Sequence, residues 1–524
     1  MPFAAVRFET SPLGRRRLPR IVAAISSIGV IVSILHLDIG LRRLRSETVA
    51  LPLAAGGSVL GVVYWPEDRA GATLPAVVVC HGHLANGRFM AAALAREFEE
   101  MGIAALFLDR VGHGRSAGLW WPREDRRGLP DQYPDVDAAI AHLRAHPRVD
   151  PERVALLGHS DGGSAVLVAA SSDWNVRATV ALSASVAPWE YVNHVAPRSV
   201  LLIYGENDRF ILENTDRLLI RAATRGYLDD TGTVGSARDG SGRMLMRVSD
   251  RGHIDLLYSD EARGAALAWL AAALGSDEPG RVHRVPLQWI VVGAGSLLLL
   301  LSTRSHRSPA PPSGAAIWRL TILTAAWLGA LWIASLLARH GFPLPTQATA
   351  AAGWALAAAS VVGAAAVLLE RLRRAAPSDE PRERPVRLLV EGGTLGVLTL
   401  VVIEILARPL YDTPLTWPRL LLFVLLDAAF LPCFLLIASG VTSAERLGAR
   451  LSPFVPCYWV LAVSTTGAAL AWFPRMSALP VLMFAGALSF MGAIEIGQSR
   501  PPQVAAAMGT VLMARLCSIA SAFH

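Results

Sequence analysis

Arg153-Val-Ala-Leu-Leu-Gly158-His159-Ser160-Asp161-Gly162-Gly163 is the stretch from which the rest of the chain can be read. A short apolar run suited to a buried strand leads into Gly158-His159-Ser160-Asp161-Gly162, and small apolar residues from Ser164 to Ala170 continue as a helix. Strand, tight turn and helix, in that order, are the setting in which G-x-S-x-G holds a serine on a nucleophile elbow. The glycines follow from sterics, because a serine on a sharp, strained turn needs neighbours without a β-carbon. Its Oγ then stands at a helix N-terminus, where backbone N–H groups and the helix dipole favour an oxyanion.

Outward from this turn, between about Thr48 and Leu274, short β-type runs alternate with helical patterns. Strands are expected at Ser58 to Tyr64, Ala76 to Cys80, Ala104 to Asp109, Val154 to Gly158, Ala178 to Ser183, Ser199 to Gly205 and Met244 to Val248. Helices are expected at Arg88 to Met101, Val136 to Ala145, Leu212 to Ala223 and Glu261 to Ala273. Continuous apolar strands alternating with helices predict an α/β domain over 48–275, with a doubly wound, mostly parallel sheet covered on both faces. Thr231 to Arg243, rich in Gly, Ser and Thr, reads as a surface loop before the last strand.

The whole chain is more apolar than this domain. Of 524 residues 53% are hydrophobic and 17% charged, with a mean hydropathy of +0.41, a balance that points to a membrane class. The formal charge is +7 and every one of the 49 basic residues is arginine. The arginines cluster beside apolar segments, so they read as topology signals and headgroup contacts, and no nucleic-acid partner is expected. Of the four cysteines only Cys80 lies in the α/β region, the others being Cys433, Cys457 and Cys517. That leaves no internal disulfide there and no metal-ligand spacing, and neither metal nor cofactor is expected.

Residues 1–47 combine a basic leader, with Arg7, Arg15, Arg16, Arg17 and Arg20, with an apolar run from Ile21 to Leu37. Leu41-Arg-Arg-Leu-Arg45 follows in place of a small-residue cleavage site, which predicts an uncleaved signal-anchor helix. Residues 276–524 read as an all-α polytopic domain of about eight transmembrane helices. Their apolar segments are Leu287 to Ser302, Ile317 to Ala338, Ala348 to Leu369, Leu388 to Ala407, Leu420 to Ala438, Phe454 to Phe473, Ala478 to Ile496 and Val504 to Ala522. Each is near the roughly 20 residues that cross a bilayer. With a cytoplasmic N-terminus, the arginine-rich loops around 304–307, 371–387 and 446–450 all fall inside. The α/β domain is then expected outside the cytoplasm, held to the cell (inner) membrane with the lipid bilayer as its partner. Glu404, Asp427, Glu495 and Arg515 fall within or near the apolar runs, as glue between helices or as a polar pocket.

Past the serine, the chain offers an acid and then a histidine at strand ends. Asp208 closes Gly205-Glu206-Asn207-Asp208 after the strand Ser199 to Gly205, with Glu206 and Asp250 as competing acids. His253, in Gly252-His253-Ile254-Asp255, follows the last strand, in competition with His81, His83, His113, His159 and His194. His81 and His113 read as loop braces. Leu119-Trp120-Trp121-Pro122 places two tryptophans near the active edge of the sheet, to bind an acyl chain, to touch lipid or to fill the loop's own core.

Ser, acid, His is the chain order of the α/β-hydrolase fold. Together with Cys80-His81-Gly82-His83, Asp109-Arg110-Val111-Gly112-His113-Gly114-Arg115-Ser116 and Val149-Asp-Pro-Glu-Arg-Val154, it makes the region from Leu51 to Leu274 resemble that superfamily. The likeness is to its dienelactone-hydrolase-like and acyl-peptidase-like branch. The resemblance implies Ser160 as nucleophile, His253 as general base and acid, and Asp208 as the group that orients the imidazole. It also implies an oxyanion hole from the backbone N–H groups of Asp161 and His83. The expected activity is that of a serine esterase or lipase on an ester or lipid-like small molecule. An acyltransferase or a peptidase using the same residues is the alternative, as is a transporter or membrane-assembly protein with a hydrolase-fold binding module. The oligomeric state stays open.

Overall fold

Successive residues of a strand face opposite sides of a sheet, so a strand apolar throughout must be covered twice. The computed structural model places such strands at the centre of a nine-stranded sheet. It describes residues 38–283 except 55, 68–72, 83–84, 117–122, 125–129, 185–191, 209–214, 229, 254 and 277–279, and beyond them 32, 389–398, 401, 420, 424, 504 and 506–511. The chain divides into two units, and the α/β domain lies in the one that holds Ile34–Leu287.

The strands are β1 (Arg45–Pro52), β2 (Ser58–Trp65), β3 (Leu74–Cys80), β4 (Ala104–Asp109), β5 (Arg123–Glu124), β6 (Pro130–Gln132), β7 (Val149–His159), β8 (Val176–Leu182), β9 (Val200–Gly205), β10 (Gly232–Val234) and β11 (Arg243–Val248). The helices are α1 (Gly87–Glu100), α2 (Pro134–Ala145), α3 (Asp161–Ser172), α4 (Thr215–Ala223) and α5 (Asp260–Leu274). The order across the sheet is β1-β2-β4-β3-β7-β8-β9-β11-β10. Strands β4, β3, β7, β8, β9 and β11 run parallel. β2 opposes β4, β1 opposes β2, and β10 opposes β11. The separate pair β5 and β6 is antiparallel.

The period of two sorts the core. Val77, Val79, Ala105, Phe107, Ala155 and Leu157 face the side packed by Leu94 and Phe98 of α1 and by Leu267 and Leu270 of α5. Their neighbours Ala76, Val78, Cys80, Leu106, Leu108 and Leu156 face Val136 and Ile140 of α2 and Val166 of α3. Two edge elements depart from expectation. β1 was not anticipated, because its first four residues are polar and exposed. The stretch read as loop from Thr231 to Arg243 contains β10, which pairs with β11 through Gly232 to Val234.

The apolar segments expected to cross a bilayer lie almost wholly outside the described residues, as do Glu404, Asp427, Glu495 and Arg515. Among the described residues no helix is long and apolar enough to cross a membrane. In the second unit, helical residues 389–398 and 506–511 approach closely. A Cβ on Gly392 would stand 2.7 Å from the Cβ of Ala507, and one on Gly396 would stand 3.1 Å from the Cα of Met508. A four-residue spacing puts both glycines on one face, where the lack of a side chain lets backbones meet.

Candidate active site

β7 ends at His159 and α3 starts at Asp161, leaving Ser160 alone on the turn with φ 57° and ψ −122°. For a residue with a β-carbon this backbone costs about 1–3 kcal/mol, so the surroundings must hold it. The Ser160 N–H donates to the Leu182 carbonyl at 2.8 Å, and its own carbonyl accepts from Ser164 N–H at 3.2 Å. The glycines permit the turn by closeness. A Cβ on Gly158 would overlap the Gly162 backbone, and one on Gly162 would stand 2.5 Å from the Cys80 carbonyl oxygen and nearer still to that of His81.

Two further strand ends converge on this serine. Asp208 follows β9, and His253 follows β11, its parallel neighbour. Their loops are tied together by Glu206 N–H to the Val248 carbonyl at 2.9 Å and Asn207 N–H to the Arg251 carbonyl at 2.8 Å. His253 Nε2 lies 2.8 Å from Ser160 Oγ, and His253 Nδ1 lies 2.8 Å from Asp208 Oδ2. The Asp208 side chain is wholly buried and that of His253 nearly so. A carboxylate can only accept, so Nδ1 donates to Asp208, and the Nε2 lone pair is left to accept from the serine hydroxyl. The competing acids sit elsewhere: Glu206 and Asp250 are exposed, and Glu206 Oε2 accepts from Asp250 N–H at 3.3 Å.

The other histidines form supports. His159 is buried, and its Nε2 donates to the carbonyl of His253 at 2.8 Å with the rings 5.0 Å apart. Burial, with the nearby His253, pushes His159 down to about 4, so it is neutral at pH 7. His81 donates from Nδ1 to the Gly82 carbonyl at 2.7 Å and accepts at Nε2 from Arg110 N–H at 3.1 Å. His113 Nδ1 lies 2.9 Å from the Val111 carbonyl. His194 pairs with Arg225 at the surface. Burial pushes the Cys80 thiol up to about 12, which keeps it protonated and inert.

One feature of the site escaped the sequence. Arg110, directly after β4, is buried, and its guanidinium pairs with Asp161 and lies 3.4 Å from Asp135. It also stacks over the Tyr133 ring at 5.0 Å. Burial opposes its charge, but Asp161 and Asp135 outweigh burial and hold it firmly protonated. The available signal was an arginine between the last residue of an apolar strand and Gly112-His113-Gly114. Asp161 itself sits at the first position of α3, where its N–H has no acceptor within the helix. His83, Trp120 and Trp121 lie outside the described residues. Among the described residues no group of three or more His, Cys, Asp or Glu is placed to hold a metal ion.

With this geometry in view, the likenesses to known proteins fall into place. Residues 71–205 match the family described as serine aminopeptidase, S33. The thiohydrolase apmlB of Arthrinium phaeospermum is 34% identical over 146 residues, 28% of this chain and 45% of that protein. The polyketide transferase ATR5 of Stachybotrys chlorohalonatus is 30% identical over 163 residues, 31% of this chain and 52% of that protein. The quorum-quenching protein AidA of Acinetobacter baumannii is 35% identical over 106 residues, 20% of this chain and 34% of that protein. The chain thus spans about half or less of the length of these relatives. From β1 to α5 the chain has the α/β-hydrolase fold.

Proposed function

We propose that this domain cleaves carboxylic esters through an acyl-enzyme on Ser160. The observation that carries the reading is His253 standing 2.8 Å from both Ser160 Oγ and Asp208 Oδ2. In the first step the Ser160 proton passes to His253 Nε2 as Oγ adds to the substrate carbonyl. The tetrahedral oxyanion is met by the Asp161 N–H, with that of His83 as second donor. The C–O bond to the leaving alcohol then breaks, and the alcohol departs with the proton from His253. Water adds to the acyl-enzyme by the same route in reverse, releasing the acid and restoring Ser160. Asp208 holds the imidazole in the tautomer that this requires and stabilises the imidazolium.

A second reading has support of its own. Two relatives are named a thiohydrolase and a polyketide transferase, so a thioester donor or an alcohol acceptor in place of water is consistent with the same residues. The apolar segments and arginine-rich loops favour a membrane-held protein with the domain outside the cytoplasm, acting on lipid-like esters. The test is fluorophosphonate labelling of cells bearing the wild-type chain or Ser160→Ala, with a membrane-impermeant probe, before and after lysis. We expect wild type alone to label, fully so in intact cells. No labelling after lysis would sink the hydrolase reading, and labelling only after lysis would sink the external placement.

A further inference from the structure

The most informative group that the reaction above leaves unused is Arg110. A large cation buried beside a nucleophile is costly unless its placement serves something, since ion pairing at best offsets desolvation. Arg110 touches two separate stretches of the site. Its backbone N–H donates to His81 Nε2 at 3.1 Å, and His81 in turn donates from Nδ1 to the Gly82 carbonyl at 2.7 Å. Its guanidinium pairs with Asp161 on the first turn of α3 and, at 3.4 Å, with Asp135. Asp135 is itself fixed, because its Oδ2 accepts from Val111 N–H at 3.2 Å and its Oδ1 from Val136 N–H at 3.0 Å. The Tyr133 ring closes the far side of the guanidinium.

We propose that Arg110 is a positioning residue for the oxyanion hole: its guanidinium fixes Asp161, whose N–H opens α3 directly after Ser160, and that donor is thereby set against one buried residue. This rests on the hydrolase reading above and assigns to Arg110 a role in kcat rather than in substrate affinity. An oxyanion donor acts only if it points at where the negative charge develops, and losing one costs on the order of 10²–10³ in kcat. A donor that is retained but misaimed loses part of that.

The test uses the full-length chain in membranes, with turnover of a chromogenic ester expressed per Ser160 titrated by fluorophosphonate. Arg110→Lys keeps the charge but cannot reach Asp161 and Asp135 together. It should lower kcat per titrated site on the order of ten- to a hundredfold and leave KM nearly unchanged. An alkyl boronic acid, which forms a tetrahedral adduct on the serine, should bind more weakly by a similar factor. Asp161→Ala, which frees α3 from the guanidinium, should give the same loss, and the double variant should lose no more than the worse single one. Arg144→Met, which breaks a pair with Asp173 away from the site, is the control expected to keep wild-type kcat. Unchanged kcat per titrated site in Arg110→Lys, or a loss confined to the number of titratable sites, would overturn the proposal. Asp161→Ala still decides the matter if Arg110→Lys does not fold. Failure of the hydrolase reading is distinguishable, because wild type itself would then neither label nor turn over ester.

Discussion

Asp208 and His159 hold His253 from opposite sides, one through the ring and the other through the main chain, and they fail in different ways when changed. Asp208→Asn keeps the shape of the acid but offers an amide that can donate as well as accept, so His253 can turn its lone pair away from Ser160. On the hydrolase reading kcat should fall on the order of 10³–10⁴-fold with little change in thermal stability, as measured by turnover per titrated site and a melting curve. His159 should contribute to acid sensitivity. Its folded pKa of about 4 lies below the ordinary 6.5, so between those values the unfolded chain binds more protons than the folded one. Stability from this residue is fully present above pH 6.5 and is lost as pH falls towards 4. A displacement of that size corresponds to roughly 3 kcal/mol. His159→Gln keeps a donor for the His253 carbonyl without the titration and should flatten the fall in melting temperature between pH 7 and pH 4. An unchanged slope would mean that other groups carry the acid response.

At the scale of the element, the packing of α3 against β3 and β7 sets how much the elbow can vary. Gly162→Ala would drive a methyl group into the His81 and Cys80 carbonyls, which belong to the sheet and its first turn and cannot swing aside. Gly163→Ala would meet Ala184 at 3.2 Å, a contact that a small shift relieves. The first should cost at least about 3 kcal/mol or prevent folding, and the second about 1 kcal/mol, as read by denaturant unfolding. These contacts also explain what the sequence disclosed. Central strands such as Ala-Ala-Leu-Phe-Leu-Asp109 are buried on both faces and must be apolar, so they stand out, and the residues just after them stand out too. The strand ends that carry Ser160, Asp208 and His253 were legible for that reason. β1 was not, since an edge strand with exposed polar residues reads like any surface segment. Nor was Arg110, whose pairing with Asp161, 51 residues later, exists only once β4 and β7 lie on either side of β3.

At the scale of the whole chain, what matters is how the hydrolase domain is joined to the sequence on either side, and both connections use α1. On the entering side Asp38 accepts from Arg88 at 2.7 Å and from Arg42 at 2.6 Å, and Leu41 is buried in the core beside α1. On the leaving side His283 N–H donates to Glu97 Oε1 at 3.1 Å, and its ring meets Glu100 Oε2 at 2.7 Å. Arg263 of α5 completes the junction, donating to Glu97 Oε1 at 2.8 Å, to the Ala93 carbonyl at 2.9 Å and to the His283 carbonyl at 2.6 Å. Glu97 shows the strain of burial, which pushes its carboxyl up, while Arg263 and the His283 N–H pull it back. Such a pair adds little over an apolar replacement but is costly to break on one side. Arg263→Met should therefore destabilise the domain by about 3–5 kcal/mol, and Arg263→Met with Glu97→Met should recover most of that loss. The leaving segment supplies a local readout, because Arg281 is exposed and trypsin cuts after arginine. Cleavage after Arg281 in the full-length chain should accelerate in Arg263→Met, since cutting tracks the population of the opened segment. In the double variant the His283 N–H and carbonyl still lack both partners, so cleavage should stay fast even as global stability returns. If cleavage slows with recovered stability, the Glu97–Arg263 pair serves the core alone and the leaving segment is held by other contacts.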